Sequence, residues 1–173
     1  MKTKKLLTGI ALLLVHSYAS SASNNLHFSG ALVTEPCNLD PATSEIVVDF
    51  GTVIQKELYL HTRTTGHPFN INLTDCDTSL GKLVTLTFKG VESSKLPGML
   101  AVTGAASGIG IGLEDDSGTQ LAVNEPTPQL SLNDGTTSFS FHAYVQGEPE
   151  AITKKSIVNG DFNAAATFEI NYQ

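Results

Sequence analysis

The chain has 173 residues with 10 Lys+Arg against 17 Asp+Glu, a net charge of −7, 40% hydrophobic and 16% charged residues, two cysteines and no tryptophan. That is the length of one domain with enough apolar side chains for a core, which excludes a disordered chain and a collagen-like repeat. The acid excess argues against nucleic acid and anionic membrane as main partners, and two cysteines are too few for a disulfide-dense miniprotein or a four-cysteine zinc site.

Residues 1–22 read as a secretory signal peptide. Lys2, Lys4 and Lys5 make a basic start and residues 6–15 an apolar stretch. Small residues follow, with cleavage patterns at Ser17-Tyr18-Ala19 and Ser20-Ser21-Ala22; cleavage after Ala22 is preferred. The alternative is a membrane anchor, for which the apolar run falls short of the ~20 residues that span a bilayer. Cleavage removes three lysines and no acid, leaving 7 basic against 17 acidic residues, a net charge of −10. Export to an oxidising compartment predicts a bond between Cys37 and Cys76, 39 positions apart. Such a bridge typically contributes ~2–4 kcal/mol by restricting the unfolded chain. Two free buried thiols are the alternative reading.

The mature chain alternates between apolar and polar residues and shows no sustained helical period. Leu26, Phe28, Gly30 and Leu32 alternate with His27, Ser29, Ala31 and Val33, ahead of Cys37 and outside the loop a disulfide would close. The residues support equally an extension tied to the domain at one end and an ordinary first strand. Further on, Phe69, Ile71 and Leu73, then Val84, Leu86 and Phe88, then Phe139, Phe141, Ala143 and Val145 repeat the pattern, as half-buried strands do. Turn pairs at Pro97-Gly98, Ser117-Gly118, Asp134-Gly135 and Asn159-Gly160 separate them, and residues 124–135, with two prolines, read as a connecting loop. The class is therefore all-β, an antiparallel sandwich of Ig-like type. Phe162, Ala164, Ala166, Phe168, Ile170 and Tyr172 hold the alternation almost to the last residue. Chain ends usually fray, so a terminus this regular belongs in a sheet with one face buried.

Catalytic and cofactor chemistry is not indicated. His27, His61, His67 and His142 have no metal-ligand spacing, and Asp75-Cys76-Asp77 and Asp115-Asp116 read as solvated turns. Gly108, Gly110 and Gly112 in SGIGIG do not match a dinucleotide fingerprint, and Gly81-Lys82 lacks the rest of a P-loop. There is no GxSxG elbow and no CxxC. Asn72-Leu73-Thr74 matches a glycosylation sequon, a pattern frequent by chance.

Taken together, the signal peptide, the N-terminal alternating strand with its central Gly30, the cysteine pair and the C-terminus resemble subunits of chaperone–usher pili. The C-terminal signature of that family is a penultimate tyrosine and a glycine fourteenth from the end, here Tyr172 and Gly160. Residues 82–90 (KLVTLTFKG) with Leu96-Pro97-Gly98, and residues 143–162, resemble the minor, adaptor-type pilins of P-pilus systems. The resemblance implies an incomplete Ig-like sandwich of six strands, missing the last, with residues 23–36 as a donor-strand extension and 37–173 as the pilin domain. It implies that Leu26, Phe28, Gly30 and Leu32 insert into a neighbour's groove, Gly30 where no side chain fits. It implies that Gly160, Phe162, Ala164, Ala166, Phe168, Ile170, Tyr172 and the carboxylate of Gln173 form the groove edge that a periplasmic chaperone captures. The implied partners are that chaperone, an outer-membrane usher and neighbouring subunits, with no small-molecule substrate and no cofactor. The implied place is the surface fimbrium, where an adaptor links tip to rod for adhesion. A secreted Ig-like carbohydrate-binding adhesin module is the alternative, for which the mature length leaves no room for a separate lectin domain.

Overall fold

Period-two alternation becomes strand pairing in the computed structural model, which describes residues 28–30, 32 and 34–173. In chain order the elements are β1 (Asn38–Leu39), a 3-10 turn (Pro41–Thr43), α1 (Gln55–His61), β2 (His67–Cys76), β3 (Leu83–Gly90), β4 (Leu100–Ala101), β5 (Thr103–Gly104), β6 (Ile109–Asp115), β7 (Gln120–Leu121), β8 (Leu130–Ser131), β9 (Gly135–Gly147), α2 (Pro149–Lys154), β10 (Phe162–Asn163) and β11 (Ala166–Tyr172). One sheet runs β1-β2-β9-β6-β4 with β7 on β6, the other β11-β3-β8, and β10 pairs with β5. All pairings are antiparallel. Five strands have seven or more residues, and β1, two residues long, is followed by the 3-10 turn and by residues 46–50, which belong to no strand.

The predicted faces meet as the core. Ile71, Leu73, Val84, Leu86, Phe88, Ile111, Leu113, Phe141 and Ala143 are all buried between the sheets. Cys37 and Cys76 are joined by a disulfide, which fixes β1 beside β2. β9, 13 residues and so roughly 40 Å long, spans the sandwich from end to end. Its Gly135 end pairs with Cys76 and defines a disulfide pole, which Tyr172 shares through the bond its hydroxyl donates to the Cys37 carbonyl, 3.3 Å. Its Gly147 end pairs with Ile109, and around it Leu58 of α1 and Ala151 of α2 pack into a second cluster with Val145 and Ile157. This is the helix pole.

Three features depart from the sequence reading. The C-terminal alternation is two strands, because the chain changes partner at Ala164 and Ala165: Phe162 pairs with Gly104, whereas Ala166 pairs with Gly90. Residues 124–135 are more than a connection, since β8 and a bridge from Pro126 to Thr87 line them along β3. Two short helices appear that are too brief to print a period.

The glycines of SGIGIG also find their reason. A Cβ on Gly112 would lie 2.2 Å from the Tyr144 ring, and one on Gly110 would lie 2.9 Å from Leu96. Tyr144 thus lies flat on the outer face of the sheet, where Arg63 stacks 3.8 Å above its ring centroid. Arg63 also forks onto the buried Glu114 carboxylate at 2.7 and 2.8 Å, and this pair holds the guanidinium pKa above its ordinary value. The Asp115 carboxylate accepts from Ser117 and Thr119 at the β6–β7 turn, bonds that hold its pKa below the usual carboxylate value, while Gly118 takes the left-handed conformation at φ 80°.

Candidate functional site

The sandwich is open along one side. β11 pairs with β3 along its whole length and, among the described residues, with no strand on its other side. The bond from the Gln173 amide to the Leu83 carbonyl, 2.9 Å, fixes which backbone groups face β3. By strand alternation the amides of Thr167, Glu169 and Asn171 point to β3, and those of Phe168, Ile170 and Tyr172 point to the open edge. Across from β11 run residues 45–50. Ile46, Val48 and Phe50 are half-buried, Val47 and Asp49 are exposed, and among the described residues the stretch pairs with no strand. Sequence reading missed this edge; its signal was the alternation of Ile46, Val48 and Phe50, blurred by Val47.

Between the two edges lies a cavity of about 620 Å³. Its floor is the core itself: Phe69, Phe88, Leu100, Ile111, Leu113 and Ala143. Phe69 and Phe88 pack with the buried Phe141 in an aromatic cluster with centroids 5.3–6.1 Å apart. Ala166 and Phe168 of β11, and Ala164 just before it, line one wall. The strand is apolar at every second position, yet Ala166 is exposed and Phe168, Ile170 and Tyr172 are only half-buried. A chain does not normally leave an apolar strand edge and an open stretch of core to water, because both invite association.

The remaining site residues fall at the two ends of this groove. At the disulfide pole, burial and the nearby Glu35 charge push the Tyr172 phenol pKa up, and the Gln173 side chain accepts a bond from Gln129, 2.6 Å. At the helix pole, Phe162 packs on Phe50 with centroids 6.1 Å apart. Beyond that pair a second cavity of about 250 Å³ is lined by Val53, Leu58, Ile109, Ile157, Gly160 and Phe162. Gly160 has φ 155°, and a Cβ there would come within 2.7 Å of Ala105; the neighbouring Asp161 carbonyl takes the amides of Ala105 and Ala106. Gly160 therefore serves a close backbone crossing at the end of the groove. Of the N-terminal set, Leu26 lies outside the described residues, as does the signal peptide. Phe28 and Leu32 are 89% and 104% exposed, and Gly30 has open space around it. His61, His67 and His142 stay apart, and among the described residues no three metal-binding side chains cluster.

An Ig-like sandwich with one strand's place vacant is the fold of pilus subunits. The model of the family described as "Fimbrial protein" matches residues 26–173. The chain is 38% identical over 178 residues to the "Fimbrial adapter PapK" of Escherichia coli, covering 96% of this chain and 98% of that one. It is 32% identical over 177 residues to the "Fimbria A protein" of Serratia marcescens, covering 100% of both. The crystal structure of the P pilus rod subunit PapA superposes with a TM-score of 0.71 at 20% identity, over 80% of this chain and 100% of that one. The chain belongs to the fimbrial protein family: it is a structural subunit of a cell-surface pilus.

Proposed function

We propose that the chain is an adaptor-type minor subunit that accepts a neighbour's strand in its groove and donates residues 23–36 to the groove of another subunit. The observation that supports this is the pair of unpaired edges, β11 and residues 45–50, on either side of an apolar cavity of about 620 Å³. A single β-strand satisfies both edges with backbone hydrogen bonds, and its alternate side chains fill the floor. Leu26, Phe28 and Leu32 supply such side chains, and Gly30 sits where the groove admits none. An empty groove favours association at high subunit concentration, so a periplasmic chaperone covers the β11 edge and holds the Gln173 carboxylate until an outer-membrane usher passes the subunit to the growing fibre. In the fibre the chain links the adhesive tip to the rod.

The orientation of the donated strand follows from the poles. The extension enters its own domain at Pro36 and Cys37, on the disulfide pole. A donor running parallel to β11 would bring its domain to the acceptor's disulfide pole. The acceptor's own extension already leaves there, so the fibre could not grow. A donor running antiparallel to β11 brings the donor's disulfide pole to the acceptor's helix pole, and subunits then repeat head to tail.

The test is to purify the Gly30→Leu variant and a deletion of residues 23–33 as chaperone complexes and mix each with a chaperone-bound partner subunit. Strand exchange is followed on a gel. Both variants are recovered with the chaperone and fail to add to the partner. Exchange of Gly30→Leu at the wild-type rate overturns the assignment of the segment, and failure to recover the chaperone complex makes the segment an ordinary strand of its own domain.

A further inference from the structure

We propose that the groove and the chain's own extension are coupled at the disulfide pole. The last residues of β11 form the seat on which the base of the extension rests, so filling the groove fixes that base, and a fixed base strengthens strand binding. The inference rests on the donor-strand reading above and concerns contacts that reading does not use. Pro36, at the end of the extension, is buried, whereas Leu32 and Thr34 before it are exposed. The Pro36 carbonyl accepts the Asp77 amide at 2.8 Å. A Cβ on Gly81 would come within 2.9 Å of Pro36 Cγ and 3.3 Å of the Gln173 backbone oxygen. Glycine at 81 therefore lets Pro36 and the C-terminal residue meet over the same spot. One residue on, the Cys37 carbonyl accepts the Tyr172 hydroxyl at 3.3 Å. Glu35, exposed beside them, is near enough for its charge to act on the Tyr172 phenol.

This seat is held from one side only. Tyr172 pairs with Val84, and the Gln173 amide donates to the Leu83 carbonyl at 2.9 Å, both toward β3. A chain end with a single neighbour frays. When it does, Pro36 loses part of its cover and the Cys37 carbonyl loses its donor, while Cys37 itself stays bonded to Cys76. A strand in the groove bonds the open-edge amides of Phe168, Ile170 and Tyr172 and so holds the same end from both sides. Coupling needs an element with two arrangements that both sites bias, and the base of the extension is that element: seated on an ordered β11 end, loose on a frayed one. Linkage makes the effect reciprocal. The factor by which a strand favours seating is the factor by which seating favours the strand.

Amide hydrogen exchange in the full mature chain, with and without a synthetic peptide of residues 23–36 as strand probe, reads the base directly. The Asp77 amide reports seating because its acceptor is Pro36. The neighbouring Thr78 amide, which donates to Asp134 at 2.8 Å, reports general stabilisation. The peptide slows Asp77 about fivefold beyond any slowing at Thr78, the net effect of one hydrogen bond. Gly81→Ala, outside the groove, pushes Pro36 off its seat; it abolishes that difference and weakens peptide binding by about the same factor. Pro36→Ala, which keeps the carbonyl and loses the ring, gives both losses in smaller measure. Equal slowing at Asp77 and Thr78, or wild-type peptide affinity in both variants, overturns the coupling. Amides of Phe168 and Ile170 that stay fast with the peptide present overturn the donor-strand reading beneath it.

Discussion

Ala143→Leu separates an acceptor groove from an ordinary core cavity, because it acts with opposite sign on the empty and the filled states. Ala143 is 3% exposed, pairs with His67 and Leu113 in the middle of its sheet, and lines the floor of the 620 Å³ cavity. Leucine adds three carbon atoms that point into that space. With the groove empty they bury apolar surface at ~0.8 kcal/mol per group, so the free domain gains up to ~2 kcal/mol. With a donor strand in place the same atoms occupy the site of a donor side chain. Losing that burial costs ~1.5–3 kcal/mol, and crowding costs a further ~1–3 kcal/mol. At about 1.4 kcal/mol per decade the affinity for the residue 23–36 peptide falls by at least about a hundredfold. The assay pairs urea unfolding of the chaperone-free chain with titration of the peptide. A variant that is destabilised while free, or that binds the peptide with wild-type affinity, refutes the reasoning.

Gly112→Ala, which places a Cβ 2.2 Å from the Tyr144 ring and so displaces the Arg63–Glu114 pair, destabilises the fold by ~2–4 kcal/mol in urea and leaves peptide affinity unchanged. Removing residues 168–173 strips most of the β11 edge and abolishes recovery of the chaperone complex, and Tyr172→Ala does so in part; the yield of complex from periplasmic extracts checks both. Burial raises the pKa values of Tyr144 and Tyr172 above the ordinary value of 10.0, so the unfolded chain loses these protons first as pH rises. Their contribution is full below pH 10.0 and is lost as pH climbs through the raised values, which alkaline unfolding followed by phenolate absorbance reads directly.

The strands were legible in the sequence because each half-buried strand carries its own record of burial. Phe69, Ile71 and Leu73, or Phe139, Phe141 and Ala143, need no knowledge of their partners to show which face is inside. The disulfide was legible through the export signal. The opposite groove edge was not, since Val47 fills an outward position with an apolar side chain and hides the alternation of Ile46, Val48 and Phe50. The break at Ala164 and Ala165 was invisible because alanine fits both sides of a strand and prints no face. Gly110 and Gly112 looked like a loop signature; their cause is the Leu96 and Tyr144 side chains brought over them by pairing far along the chain, which no local pattern encodes. α1, seven residues long, is held by the bond Gln55 donates to Ile157 and by the burial of Leu58, contacts that lie outside its own sequence.

The central claim is that β11 waits for a strand, and amide hydrogen exchange on β11 tests it most directly. In the free domain the amides of Thr167, Glu169 and Asn171 are bonded to β3 and exchange slowly, while those of Phe168, Ile170 and Tyr172 face the open edge and exchange fast. Adding the residue 23–36 peptide of a second copy slows the second set to the level of the first. If Phe168, Ile170 and Tyr172 stay fast with the peptide bound, or are already slow without it, the groove does not take a strand.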